Sequence, residues 1–297
     1  MPSKPPPPPA EPEVPARELT VEEKRVLFIK KLPDFKIAGD IMAIIEGMRE
    51  HETVEQIIVI ACRQLNGLAT TKDGSAGEKR DQIRKLNGLE RIIKAMDDHG
   101  SVAELYREAF ALLCHLTITQ SNMHKEKFGD AGGIERLLAG MQAHESDIEV
   151  QKLGCAALHN LSVVSFNADK IATACGIHRV CTAMEKHTHL DIQLHGCATL
   201  QILSICAANR STIVAAGGVE RIINAMTKHH LNIELAEFSC GALLNVGCAT
   251  KEVRGKLAAS GSLQSVKSAV QRAMAHPEAM GNTKTYGTMI LDALTLI

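Results

Sequence analysis

Tryptophan is absent from this 297-residue chain, and aromatic residues make up only 3% of it. A core must therefore be assembled from Leu, Ile, Val, Ala, Met and Cys, side chains suited to close-packed helices. Charge of one sign is also lacking: 33 Lys and Arg stand against 34 Asp and Glu, for a net charge of -1. Such balance argues against general electrostatic binding of nucleic acid or of an anionic membrane, which needs a basic excess. No apolar run approaches the roughly 20 residues that span a bilayer. The proline-rich start has no apolar segment of the secretory kind, and Met-Pro-Ser lacks the Gly that myristoylation needs. The catalytic signatures are missing as well, with no phosphate-binding Gly-rich loop, no GxSxG and no HExxH. The nine cysteines form no CxxC and no Cys/His cluster of zinc-site spacing, the nearest being Cys175 and Cys181 around His178. They read as buried free thiols in a reducing compartment. The expectation is a soluble, non-catalytic protein of the cytoplasm or nucleus, with no metal, no cofactor, no nucleic acid and no membrane span.

What the chain does have is a repeated pattern, displayed best by Ala131 to Ser162, AGGIERLLAGMQAHESDIEVQKLGCAALHNLS. Ile134, Leu137, Leu138 and Met141 recur at i, i+3, i+4, i+7 and make one apolar helical face. Val150, Leu153, Ala157, Leu158 and Leu161 make a second, after a polar turn. Neither short helix can bury its face alone, and copies of the pair supply the neighbours. The marker Met-x-x-His occurs at Met48/His51, Met96/His99, Met141/His144, Met184/His187 and Met226/His229, so the Met spacings are 48, 45, 43 and 42 residues. A sixth copy has Val270 in place of Met. Gly88, Gly133, Gly176, Gly218 and Ser262 stand at the start of every marker helix except the first. The extra length between the first two markers falls on the polar stretch TTKDGSAGEKRDQ, residues 70–82, which reads as a loop insertion. Cys62, Cys155, Cys197 and Cys240 take the same place in the long helix of their units, as packing contacts. Each marker His, at the end of its helix, suits the negative end of the helix dipole.

Ahead of the repeats, residues 1–19 read as a disordered tail holding eight of the ten prolines within residues 1–15. Pro5, Pro6, Pro7, Pro8 and Pro9 favour extended polyproline II, the shape that SH3, WW and profilin-like partners dock. Residues 20–35 read as a capping helix. Thr20 and Glu23 form a capping box, and Val21, Leu27, Phe28 and Ile29 are placed to cover the open end of the first repeat.

A helical period of this length indicates an all-α solenoid. The short first helix, the second helix after Gly and the long third helix with Asn near its end resemble the armadillo family, most closely over residues 122–162. The likeness extends across residues 36–297, with weaker copies at 36–69 and 251–297. It implies a right-handed superhelix of about six three-helix repeats whose third helices line a concave, peptide-binding groove. The family's groove Asn corresponds to Asn160 and Asn245. Gly67, His115, Ile202 and Ala293 hold the place in the other units. The family's Trp four residues earlier is replaced by Arg63, Ala111, Ala156, Ala198 and Gly241, which argues against gripping Lys-rich import signals. The expected groove residues are Asn66, Arg107, His115, Lys152, His159, Asn160, Gln201, Glu237 and Asn245. The resemblance thus implies a scaffold or adaptor for a protein partner. The apolar ending TMILDALTLI leaves a second reading open, a dimer or assembly contact through the C-terminal end.

Overall fold

The computed structural model describes residues 20, 23, 26–31, 40–118, 121–248, 254–255, 258–259, 261 and 263–295. Among the described residues, all regular structure is helical. A first unit holds α1 (Ile41–Glu50) and α2 (Glu55–Ala69). Three-helix units follow: α3 (Ala76–Lys85), α4 (Gly88–Asp98) and α5 (Ala103–Thr117); α6 (Met123–Asp130), α7 (Gly133–Ala143) and α8 (Ile148–Ser162). The next are α9 (Ser165–Thr173), α10 (Gly176–Lys186) and α11 (Leu190–Leu203), then α12 (Ala207–Ala215), α13 (Gly218–Lys228) and α14 (Ile233–Cys248). The last described helices are α15 (Leu263–Ala275) and α16 (Gly281–Ala293). The long helices α2, α5, α8, α11, α14 and α16 each pack on the next, and the second helices α1, α4, α7, α10, α13 and α15 form a parallel row behind them. One hydrophobic core runs through all the units. The chain is an α-solenoid.

The marker residues of each unit have separate jobs. Ile134, Leu137 and Met141 on α7 are fully buried. In two units the Met of the marker lies on a Gly of the following long helix. A Cβ on Gly154 would stand 2.6 Å from Met141 Cγ, and one on Gly196 would stand 2.6 Å from Met184 Sδ. Only Gly leaves room for that close approach. In the last unit Met274, one turn beyond Val270, fills the same space, 2.5 Å from a Cβ built on Gly287.

The second helices start on Gly88, Gly133, Gly176 and Gly218, as the sequence reading has it. The left-handed residue is the one before the expected Gly: Asn87 (φ 61°), Gly132 (φ 78°), Cys175 (φ 63°) and Gly217 (φ 72°). Gly133 itself is needed because the Phe128 ring lies where its side chain would be, 2.4 Å from a built Cβ. Ser262 lies outside the described residues.

The marker histidines also do more than end a helix. Their backbone N–H groups of His99, His144, His187 and His229 do cap the preceding turn, onto the carbonyls of Ala95, Gly140, Ala183 and Ala225. Each ring, however, donates from Nε2 to a carbonyl of the previous unit: His99 to Glu52 at 2.7 Å, His144 to Gly100 at 3.3 Å, His187 to Glu145 at 2.8 Å and His229 to Thr188 at 3.0 Å. A carbonyl can only accept, so Nε2 must carry the proton. These rings tie unit to unit. Gln151 and Gln193 complete the turn within a unit. Gln193 Nε2 donates to Met184 O at 2.8 Å and His187 O at 2.7 Å, and Gln151 does the same to Met141 O and His144 O. Tyr106 takes that place in the second unit, its hydroxyl donating to Met96 O at 3.2 Å.

Two further expectations are corrected. Residues 76–82 are the start of α3 and not a loop, so the insertion shrinks to residues 70–75. Asp73 Oδ1 accepts from Ser75 N just before the helix, Ile83 is fully buried, and Arg84 reaches Leu116 O at 2.9 Å. The cysteines are not all buried: Cys175 and Cys206 are exposed, while Cys62, Cys155, Cys197 and Cys240 are fully buried in their long helices. The apolar character of the C-terminal sequence mostly turns inward. Ile290 and Leu294 are buried, whereas Lys284, Thr285, Thr288, Met289 and Asp292 are exposed. Among the described residues the exposed positions of α16 are therefore polar around one Met. Leu296 and Ile297 lie outside the described residues.

At the other end, Thr20 and Glu23 bond reciprocally as a capping box. Phe28 covers Gly47 of α1 and stacks on His51 with ring centroids 5.1 Å apart, and Ile29 is packed on the core beside it. Leu27 points to solvent instead. Val21 and the Pro5–Pro9 run lie outside the described residues.

Candidate functional site

The long helices leave one stripe uncovered. On α8 it runs through Glu149, Lys152, Leu153, Ala156, His159 and Asn160 to Val163, the i, i+3, i+4 spacing of one helical face. Equivalent stripes on the flanking long helices extend it into a continuous inner surface. The sequence placed nine residues here, and the structure puts all of them on this stripe, but most are already engaged.

At the N-terminal half the charges pair with one another. Arg63 reaches Glu104 and Glu108, and Asn66 Nδ2 donates to Glu108 at 3.4 Å. Arg107 Nε donates to Asp147 at 3.0 Å, while Lys152 pairs with Glu149 at 2.8 Å. Asp147 is also the N-cap of α8, accepting from Glu149 N and Val150 N, so Arg107 braces the start of the next long helix. His115 is half-buried, and its pKa is held down by burial and by Arg80.

The two Asn residues do not present free amides. Asn160 Nδ2 donates to Thr117 Oγ1 at 3.3 Å and Asn245 Nδ2 to Ser204 Oγ at 3.1 Å, each closing the end of the preceding long helix. Their donor arms are occupied within the fold. Gln201 lies over Gly241, where a Cβ would be 2.1 Å from its Nε2. Glu237 is held by Asn282 of α16 at 2.6 Å.

His159 is the main departure from expectation. Its Nδ1 faces His195 Nδ1 at 3.3 Å, and its ring meets Phe238 edge-on, centroids 5.6 Å apart at 71°. Burial pushes its pKa down to about 4, with the His195 and Lys125 charges adding to the effect. Burial also lowers His195, opposed by Asp191 and Glu234. Both rings are neutral at pH 7. Ala198 beneath them is fully buried. The middle of the groove is thus occupied by a neutral aromatic cluster drawn from α8, α11 and α14.

Sequence reasoning missed His195 and Phe238, which share one position seven residues before the Asn place in successive units. It also missed the rim. Ile118, Val163 and Ile205 stand three residues after that place in three consecutive units and are 58%, 50% and 68% exposed. Met123 and Phe166, alike in the first turns of α6 and α9, are exposed beside them. Singly these are ordinary, but their recurrence at the repeat spacing makes an apolar edge.

No protein-family model and no curated protein matches the chain. Solved structures do. One is a crystal structure of an engineered protein, with TM-score 0.67 and 18% identity, covering 86% of this chain and 97% of that one. A second engineered protein gives 0.67 and 16%, covering 87% and 99%. The third comes from work on a phosphorylation switch controlling the interaction between cadherin and beta-catenin, with TM-score 0.73 and 18% identity over 88% of this chain and 46% of that one. The fold is that of a helical-repeat protein. At these identities the likeness extends to the fold alone. The third match is armadillo-type, in keeping with the helix order of each unit. Among the described residues no helix is long and apolar enough to cross a membrane.

Proposed function

We propose that the chain is an armadillo-type scaffold or adaptor, a non-catalytic protein that holds an extended segment of a partner along the inner face of α5, α8, α11 and α14. The observation that carries this reading is the exposed row Ile118, Val163 and Ile205, at matching positions of three consecutive units and at the edge of the inner face. Apolar side chains left exposed at a fixed period offer a continuous strip to a chain laid along the solenoid. The cadherin–beta-catenin interaction named with a structural neighbour supports protein as the class of ligand. Specificity falls to the rim and to Gln201 and Glu237, which lie on the inner face with Gln201 over Gly241 and Glu237 accepting from Asn282. Arg63, Arg107, Asn160 and Asn245 mainly hold units together, and Lys152 pairs with Glu149 on its own helix.

A random-peptide library selected on the intact chain tests the reading. Selected peptides should lose at least tenfold in affinity for Ile205→Asp and Glu237→Lys, and bind Glu135→Lys on the second-helix side unchanged. Equal binding to all three, or loss only with the last, overturns it.

A further inference from the structure

An ion pair in one register ties α7 to α4 and α13 to α10. Arg136 pairs with Asp97 at 2.5 Å and Arg221 with Glu185 at 2.6 Å. The arginine stands five residues before its own marker Met, and the acid one residue after the marker Met of the unit before. Where Gln142 takes the acidic place, Arg179 reaches Glu145 at 3.6 Å instead. Between α4 and α1 the same register sets Arg91 opposite Arg49, so two cations meet where the other units have a pair.

Arg49 and Arg91 line one pocket of about 260 Å³ together with Lys85, Glu46, Met42 and Leu86. Among the described residues none of these three cations has a salt-bridge partner. Against the single charge of Glu46 they leave an excess of two positive charges. A phosphate monoester carries about −1.5 to −2 at pH 7 and matches that excess, whereas one carboxylate neutralises half of it. Arginine forks bind phosphate oxygens in pairs. Met42 is 50% exposed, and with Leu86 it offers apolar contact to a residue beside the phosphate. We propose that this pocket docks a phosphorylated segment of a protein partner, with the phosphate seated between Arg49 and Arg91. A flat anionic membrane suits the place less well. Glu46 is exposed within it, and Glu50 and Glu90, next in sequence to Arg49 and Arg91, are exposed as well. The site lies on the row of second helices and stands whether or not the inner face takes a peptide.

The test is methyl NMR of the intact chain titrated with a short peptide carrying phosphoserine between two leucines, and with its unphosphorylated twin. The expected result is a saturable shift of the Met42 methyl with the phosphopeptide, none with the twin, and competition by inorganic phosphate. Arg91→Ala should lose at least tenfold in affinity. Arg49→Asp, which restores the ion pair of the other units, should lose as much while keeping the fold by circular dichroism. Arg136→Ala, on the same row, should bind as the parent does. If the Met42 methyl stays in place, or moves equally with the twin, the proposal is wrong. It is equally wrong if Arg49→Asp binds as tightly as the parent chain, or if Arg136→Ala weakens binding as much as Arg91→Ala. Sedimentation with phosphatidylserine vesicles that depends on Arg49, without a response to the phosphopeptide, would assign the pocket to a membrane and overturn it too. Should a variant misfold, the phosphopeptide and its twin on the parent chain decide it alone.

Discussion

Replacing Gly154 by Val puts the central packing contact of a repeat under direct strain. A Cβ there would stand 2.6 Å from Met141 Cγ and 2.7 Å from its Sδ, against about 3.5–4.0 Å for relaxed carbon contacts. Met141 is fully buried and has no solvent to retreat into. Overpacking of this kind costs about 1–3 kcal/mol, offset by roughly 0.4 kcal/mol from the better helix propensity of Val. Met141→Ala in turn removes a fully buried side chain, at about 2–5 kcal/mol. In the double variant the Val side chain enters the space that Met vacates. The two effects should therefore fall short of their sum by at least about 1 kcal/mol, within the range for residues in contact. Urea denaturation followed by circular dichroism on the four proteins of the cycle measures this. Gly77→Ala is a control, because nothing lies within 4 Å of its Cβ. It should leave stability unchanged or slightly raise it. If the Gly154 and Met141 effects add to within about 0.5 kcal/mol, the two residues do not pack as described and the reasoning fails.

Other expectations follow from the same contacts. Gln193→Ala strips the buried Met184 O and the partly buried His187 O of their donor and should cost about 1–3 kcal/mol in the same assay. His159, with a folded pKa of about 4, lies below its unfolded value of about 6.5. The unfolded state therefore binds the extra proton between those values, so stability should be lost as pH falls from about 6.5 toward 4, by up to about 3 kcal/mol. His159→Phe should flatten that part of the pH–stability curve, and an unchanged slope would count against the buried neutral pair. Phe28→Ala uncovers Gly47 and His51; hydrogen exchange should quicken in α1 with little change in α10.

Much of the fold was legible because each unit repeats the same apolar periodicity and the same marker. Met141 and Cys155 could be assigned to packing and Gly133 to the start of its helix by comparing copies, and the structure places them there. Residues 76–82 were misread because Glu78, Lys79 and Arg80 look like loop residues until Ile83 is seen buried and Arg84 is seen reaching α5. The site was less legible. Asn160 and Asn245 occupy the position expected from the armadillo resemblance, yet whether an amide faces a ligand or a neighbouring helix end depends on contacts more than 40 residues away in sequence. His159 looked like one polar residue among several. Its character comes from His195 and Phe238, contributed by two other units. The rim was readable in principle, since Ile118, Val163 and Ile205 hold equal positions, but a lone apolar residue after a helix carries no signal until its copies are aligned.

The most direct test of a protein-binding inner face is methyl NMR of the intact chain during titration with a library-selected peptide. Ile118, Val163, Ile202 and Ile205 report on the inner face and its rim, and Ile93, Leu138 and Ile223 report on the second helices. The account predicts saturable shifts confined to the first set. Shifts confined to the second set, or none at saturating peptide, would contradict it.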